Sequence, residues 1–277
     1  MQDNLIGKVA LVTGAARGQG RSHAAFLAEA GADIIVLDIC EQVATVPYPT
    51  ATSADLDETV ALVEKFDRRA YRIECDVRDP AAVAQAVDTA VADIGRLDFA
   101  VLNAGVCEIT EASQITPAEW NTVISTNLSG AFFSAQAAMK HIIDGNRGGA
   151  MIFIGSASTL TPVENMAHYI ASKHGVVGLA KALAKELARH QIRVNVIHPT
   201  NCDTPMIQNS MIYELFAPDV NEPTRDSVTP MFQTLAALDT PWVSPEDISK
   251  AVLYLVGDSG RYVTGAQMEV TAGYPLL

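Results

Sequence analysis

Residues 8–38 read KVALVTGAARGQGRSHAAFLAEAGADIIVLD, and the architecture of the chain follows from them. The run Lys8–Thr13 is apolar at nearly every position instead of alternating, which suits a strand covered on both faces. Asp33–Asp38 repeats that pattern. Between the two, glycines at 14, 18 and 20 lead into a helical stretch over 18–31. Strand, glycine-rich turn, helix and second strand make a βαβ unit with parallel strands and a right-handed crossover.

Glycine lacks a Cβ, so such a turn is tight and its backbone can approach a ligand closely. The free N–H groups at the helix start then attract an anionic group such as a pyrophosphate. A plain strand-to-helix turn is the alternative, but a strand before and a helix after are the context that a dinucleotide site requires. Gly14, Arg17, Gly18, Gln19 and Gly20 are the candidate contacts in this turn.

The same rhythm continues outward. Ala70–Cys75, Leu97–Leu102, Ala150–Gly155 and Ile192–His198 are further β-rich runs, with helical patterns near 55–68, 80–94, 117–143, 167–190 and 245–257. Thr116-Pro-Ala-Glu119 and Ser244-Pro-Glu-Asp247 each offer a hydroxyl cap, Pro at the first helical position and an acid at the third. The predicted fold is α/β, a single Rossmann-type domain over 1–277 with a doubly wound parallel sheet and helices on both faces.

Two segments break the rhythm. Residues 40–54 (CEQVATVPYPTATSA) form a connection much longer than the usual ~2–6 residues. Residues 200–243 carry five prolines and an apolar set that includes Met206, Ile207, Ile212, Leu215, Phe216, Phe232 and Trp242. An insert at the carboxyl edge of such a sheet reads as a substrate lid. A subdomain that packs for stability or mediates oligomer contacts is the alternative.

Composition excludes several classes. With 49% hydrophobic and 18% charged residues the chain is globular. A net charge of −13 without a basic cluster argues against nucleic acid or an anionic membrane as partner. Cys40, Cys75, Cys107 and Cys202 have neither C-x-x-C nor metal-ligand spacing, so reduced thiols, no metal and a cytoplasmic location are expected. Met1–Leu5 does not read as a signal peptide, and no apolar run reaches the ~18 residues of a membrane span.

Asp38 ends the second run, 24 residues after Gly14, where an acid hydrogen-bonds the adenosine ribose. Its charge repels a 2′-phosphate and favours NAD over NADP. Arg17 pulls the other way, and neither Ile39 nor Cys40 adds a cation. Tyr169 and Lys173 stand at i and i+4 on one helix face. An ammonium beside a phenol lowers its pKa and yields a proton acceptor for an alcohol losing hydride. A solvated Tyr/Lys pair is the bland alternative, and His168 and His198 are not needed for the chemistry.

Thr13–Gly20, Asp38, Asp76-Val77, Asn103-Ala-Gly105, Asn127, Ser156 and Tyr169/Lys173 occur together and in order. This set resembles the short-chain dehydrogenase/reductase family over essentially the whole chain. The resemblance implies Tyr169 as general acid/base, Lys173 as its partner and a ribose ligand, and Ser156 as the hydroxyl on the substrate oxygen. It also implies that Asn127 helps hold a water linking Lys173 to solvent. Asp76 and Val77 would contact adenine, with Ile39 beside Asp38. Asn103, Ala104 and Gly105 would line the cofactor or brace the sheet. Pro199 and Thr200 would contact the nicotinamide amide, although Thr200 replaces the usual glycine; Thr204 would meet the nicotinamide or the pyrophosphate side, and Met206 would also touch the cofactor.

Gly18-Gln-Gly-Arg-Ser-His23, His198-Pro-Thr-Asn-Cys-Asp-Thr-Pro-Met206 and the long loop after Asp38 narrow the likeness. They resemble the carveol-dehydrogenase-like, mycofactocin-associated subgroup of actinobacteria. That implies a terpenoid or similar hydrophobic alcohol or ketone, and firmly held NAD with residues 40–54 folded over its adenosine half. It further implies reoxidation by the external carrier mycofactocin, and a homotetramer pairing through residues 117–143 and 167–190. An NADP-linked ketone reductase and a non-catalytic dinucleotide-binding redox sensor are the rival expectations.

Overall fold

The computed structural model describes residues 4–277; Met1, Gln2 and Asp3, part of the N-terminal stretch read above, lie outside the described residues. In chain order the elements are β1 (Val9–Thr13), α1 (Gly18–Glu29), β2 (Asp33–Asp38), α2 (Ser53–Glu64), β3 (Ala70–Glu74), α3 (Pro80–Ile94) and β4 (Phe99–Leu102). There follow α4 (Pro117–Ile124), α5 (Gly130–Gly145), β5 (Gly149–Ile154), α6 (Ala167–Leu187), β6 (Ile192–Pro199), α7 (Ser210–Phe216), α8 (Arg225–Gln233), α9 (Pro245–Val256) and β7 (Gln267–Val270). The strands form one parallel sheet in the order β3-β2-β1-β4-β5-β6-β7.

Side chains alternate across that sheet, and both faces are dry. Leu11, Leu102, Met151 and Phe153 join Val83 and Val87 of α3, Ile142 of α5 and Leu183 of α6 on one face. Val12, Val36, Val101 and Ile152 join Leu27 of α1, Leu56 of α2 and Val252 and Leu255 of α9 on the other. Burial on both sides is why these strands read as continuous apolar runs.

Thr116 and Ser244 form the anticipated capping boxes with Glu119 and Asp247. Three features differ from the sequence reading. β7 escaped notice because Gln267–Val270 is short, lies at the sheet edge and is only partly covered. The helix expected over 117–143 is interrupted by a π-helical turn at Ser125–Ser129. Within 200–243, α7 and α8 fold as short helices, and α8 opens on a Thr224/Ser227 capping box.

His23 of α1 is fully buried against α9, with Nδ1 2.8 Å from Ser249 Oγ. Burial pulls its pKa down to about 3, since an imidazolium there would lose its hydration. The unfolded chain binds this proton below about pH 6.5, while the native chain refuses it until about pH 3. Stability is therefore lost as pH falls through that window, by about 2 kcal/mol between pH 7 and 5. A Tm series over that range should show a steeper slope for the native chain than for His23→Gln; equal slopes would exclude His23 as the cause.

Candidate active site at the carboxyl edge of the sheet

Strand order reverses between β1 and β4, so the connections after these strands diverge and leave a crevice. The cleft there has a volume of about 520 Å³. Its floor is the turn after β1. Gly14 has φ +64°, and a Cβ at Gly20 would stand 1.9 Å from the Gly14 carbonyl oxygen, so helix and turn are in backbone contact.

The start of α1 points at this cleft. Residue Arg17 is extended there and offers no side-chain cap, and the first turn has no acid. By contrast, α2, α4, α8 and α9 all begin with capping boxes. The buried Gln19 Oε1, also facing the cleft, has no partner. Uncapped N–H groups, an unpartnered amide oxygen and a glycine cradle fit the pyrophosphate of a dinucleotide.

Asp38 is buried at the tip of β2; its carboxylate accepts from Ala16 N (2.9 Å) and Ile39 N (2.8 Å). Burial nevertheless pushes its pKa up. Arg17 lies close enough to act electrostatically on both Asp38 and Tyr48. Asp76 pairs with Arg78 at 2.7 Å beside the buried Val77. Asn103 braces the sheet: its Nδ2 donates to Thr13 O (3.0 Å) and Gly14 O (3.1 Å). Ala104 N in turn donates to Thr13 Oγ1 at 3.1 Å. Of the catalytic and cofactor-binding candidates named from the sequence, Gly20 and Asn127 stand behind the cleft wall; the others line it, including Gly105, Pro199, Thr200, Thr204 and Met206.

Ser156 follows β5, and Tyr169 and Lys173 come from α6. Lys173 Nζ is buried, donates to Ile154 O at 2.8 Å and lies 5.6 Å from the Tyr169 ring centroid. Burial lowers its pKa to about 8. Desolvation pushes the Tyr169 phenol up, Cys107 and Tyr48 act in the same direction, and a hydrogen bond with Ser156 opposes them. The phenol thus lies above its ordinary value and not below it as expected from the sequence, because desolvation outweighs the hydrogen bond with Ser156.

The π turn directs Asn127 inward. Its Oδ1 accepts from Val106 N (2.8 Å), while Nδ2 donates to Val106 O (2.9 Å) and Ser172 Oγ (3.1 Å). His198 does more than pack: its Nδ1 lies 2.9 Å from Ser156 O and 3.0 Å from Thr159 Oγ1. Its Nε2 lies 3.2 Å from Gln267 Oε1.

The loop after β2 reaches across to the segment after β4. Tyr48 is 4% exposed and its hydroxyl accepts from Cys107 N at 3.1 Å. Val43 and Val46 pack with it against Val106 and Val123, with Tyr169 and Met206 at the margin. Thr45 Oγ1 donates to the buried Glu108 Oε1 at 2.8 Å. Ile109, Ile207, Leu215, Phe216 and Phe232 line the other end of the cleft. Phe232 stacks on Phe216 at 4.5 Å and meets Trp242 edge-on at 5.6 Å. Sequence reasoning missed Tyr48, Arg78, Cys107 and Tyr274 as lining residues. Only the length of the loop around Tyr48 signalled anything there.

Among the described residues no group of His, Cys, Asp and Glu could hold a metal ion, and no helix is long and apolar enough to cross a membrane. A family model described as short chain dehydrogenase matches residues 8–213. The chain is 46% identical over 271 residues to (-)-trans-carveol dehydrogenase of Rhodococcus erythropolis, covering 98% of each. It superposes on a crystal structure of carveol dehydrogenase from Mycobacterium avium in complex with NAD with TM-score 0.98, at 44% identity and 100% coverage of both chains. A short chain dehydrogenase from Mycobacterium paratuberculosis bound to NAD superposes with TM-score 0.90 at 40% identity, covering 99% of this chain and 100% of the other.

Proposed function

The chain belongs to the short-chain dehydrogenase family, and on that footing we propose that it is an NAD-dependent alcohol dehydrogenase for a hydrophobic secondary alcohol or its ketone, a terpenoid such as carveol being the expected kind. The observation that carries this reading is the meeting of Ser156, Tyr169 and Lys173 in one cleft that is lined by both the glycine-rich turn and an apolar set. Their joint presence argues against a non-catalytic sensor.

In this reading Gly14, Arg17, Gly18 and Gln19 hold the pyrophosphate, with Gly20 packed behind them against Gly14, Asp38 and Ile39 hold the adenosine ribose, and Asp76 and Val77 the adenine. Asn103, Ala104 and Gly105 line the middle of the cofactor, and Pro199, Thr200, Thr204 and Met206 its nicotinamide end. Bound NAD supplies the hydride acceptor. Ser156 donates to the substrate oxygen, and Tyr169 removes its proton. Lys173, with a pKa of about 8, exchanges that proton near neutral pH. Asn127 fixes the Val106 turn and helps hold a water between Lys173 and solvent. Residues 200–243 act as the substrate lid.

A panel of cyclic and linear alcohols with an artificial electron acceptor tests the assignment. Preference for apolar cyclic alcohols is expected, whereas no oxidation of any alcohol would end it. The reach of the 40–54 loop supports firm retention of NAD, which makes an external reoxidant such as mycofactocin the expected partner. A homotetramer through residues 117–143 and 167–190 is part of the same reading.

Arg17 in the cleft favours a second reading, an NADP-linked ketone reductase. Asp38 opposes it, being an anion where a 2′-phosphate would sit. Replacing Asp38 by Asn should shrink the preference for NAD over NADP by roughly tenfold or more, read as the ratio of the two Kd values, because the repulsion is worth at least about 1.4 kcal/mol. A native chain that already binds NADP more tightly would decide for the reductase.

A further inference from the structure

We infer that Ser158 is a positioning residue that turns the Ser156 hydroxyl proton toward the reacting oxygen. The inference rests on the alcohol dehydrogenase reading. A serine hydroxyl has one proton to donate and two lone pairs to accept with. Ser156 opens the short 3-10 turn Ala157–Thr159, and its Oγ accepts from Ser158 N at 3.2 Å. The same Oγ also accepts from Ser158 Oγ at 2.9 Å. With both lone pairs taken, the Ser156 proton is the only bonding capacity left. The Tyr169 phenol is the remaining hydrogen-bond neighbour of Ser156, and the substrate oxygen would lie beside it.

The surroundings keep this arrangement from relaxing. Ser158 lines the cleft but is only 6% exposed, so little of it meets solvent. The Ser156 backbone is held by Thr159, whose Oγ1 donates to Ser156 O at 2.8 Å, and by His198. The result is a one-way chain: Ser158 O–H to Ser156 O–H to the reacting oxygen. Each donor in such a chain polarises the next, so the last bond strengthens as negative charge gathers on the oxygen. An alanine at 158 frees one lone pair, and Ser156 then accepts from the alcohol or the phenol as readily as it donates.

Ser158→Ala should lower kcat about tenfold, the effect of one hydrogen bond realised in the transition state, with KM for the alcohol within about twofold of native. The limb of the kcat–pH profile that reports loss of the Tyr169 proton should move to higher pH. Ser158→Thr, which keeps the hydroxyl, should restore both. In a Ser156→Ala background the same Ser158→Ala change should have no further effect, because Ser158 acts only through Ser156.

Native kcat and pH profile in Ser158→Ala would overturn the inference. So would an equal loss with and without Ser156, which marks a merely structural role. If Ser158→Ala does not fold, Ser158→Cys keeps the volume with a weak donor and should show the same loss and shift; native behaviour there overturns the inference too. Tyr169→Phe separates the two levels. Normal turnover in that variant removes the underlying reading, whereas an inactive Tyr169→Phe beside a native-like Ser158→Ala removes only the role of Ser158.

Discussion

Replacing Tyr169 by phenylalanine is expected to reduce kcat by about a thousandfold or more while NAD affinity changes by no more than a few-fold. The ring stays and keeps its place beside Val43, Val46 and Tyr48. The lost atom is the one proposed to take the alcohol proton, and general acid–base groups contribute roughly 10²–10⁴ in rate. Lys173 does not substitute, because its Nζ is tied to Ile154 O. Desolvation holds the phenol above its ordinary value, so the native chain should oxidise alcohols faster as pH rises. Single-turnover oxidation followed at the reduced-nicotinamide band, beside NAD titration of the same variant, distinguishes loss of chemistry from loss of cofactor. Turnover within tenfold of native would remove Tyr169 from its proposed role.

Removing the Tyr48 ring is the second large effect. Tyr48 stands outside the two clusters that face the sheet, so Tyr48→Ala should fold. Its ring is nevertheless buried between the loop and Val106, and it must come out before the loop can lift from the cleft. Truncating a large buried ring loses about 3 kcal/mol of packing, and that energy no longer resists opening. NAD release should accelerate by about a hundredfold. Tyr48→Phe loses only the bond from Cys107 N and should accelerate it about fivefold. Native protein, denatured directly after purification, should yield close to one NAD(H) per chain, and Tyr48→Ala much less. If both yield the same amount, and exchange with labelled NAD is equally slow, the loop is not what retains the cofactor.

The glycine-rich turn was legible because its requirement is local: three glycines, a strand before and a helix after state the backbone geometry directly. The capped starts of α4 and α9 were legible for the same reason. Gln267–Val270 was not, since an edge strand of four partly exposed residues has no burial pattern to betray it. The π turn was not either: Ser125–Ser129 continues a helical pattern, and only the bonds from Asn127 to Val106 and Ser172 show the change of aim. The contact of Tyr48 with Cys107 spans 59 positions and carries no periodic signal.

Alternating apolar runs and helical stretches, read from the residues alone, were enough for a parallel doubly wound sheet and for Tyr169 and Lys173 on one helix face. These depend on backbone sterics and on spacings within a turn or two of chain. Strand order, the reach of the 40–54 loop and the two Ser158 donors on the Ser156 hydroxyl came from packing. So did the protonation tendencies at the site: the phenol moves up and the lysine down to about 8 because segments remote in sequence exclude water from both. Desolvation is a property of what surrounds a group in space, and no local stretch of sequence contains it.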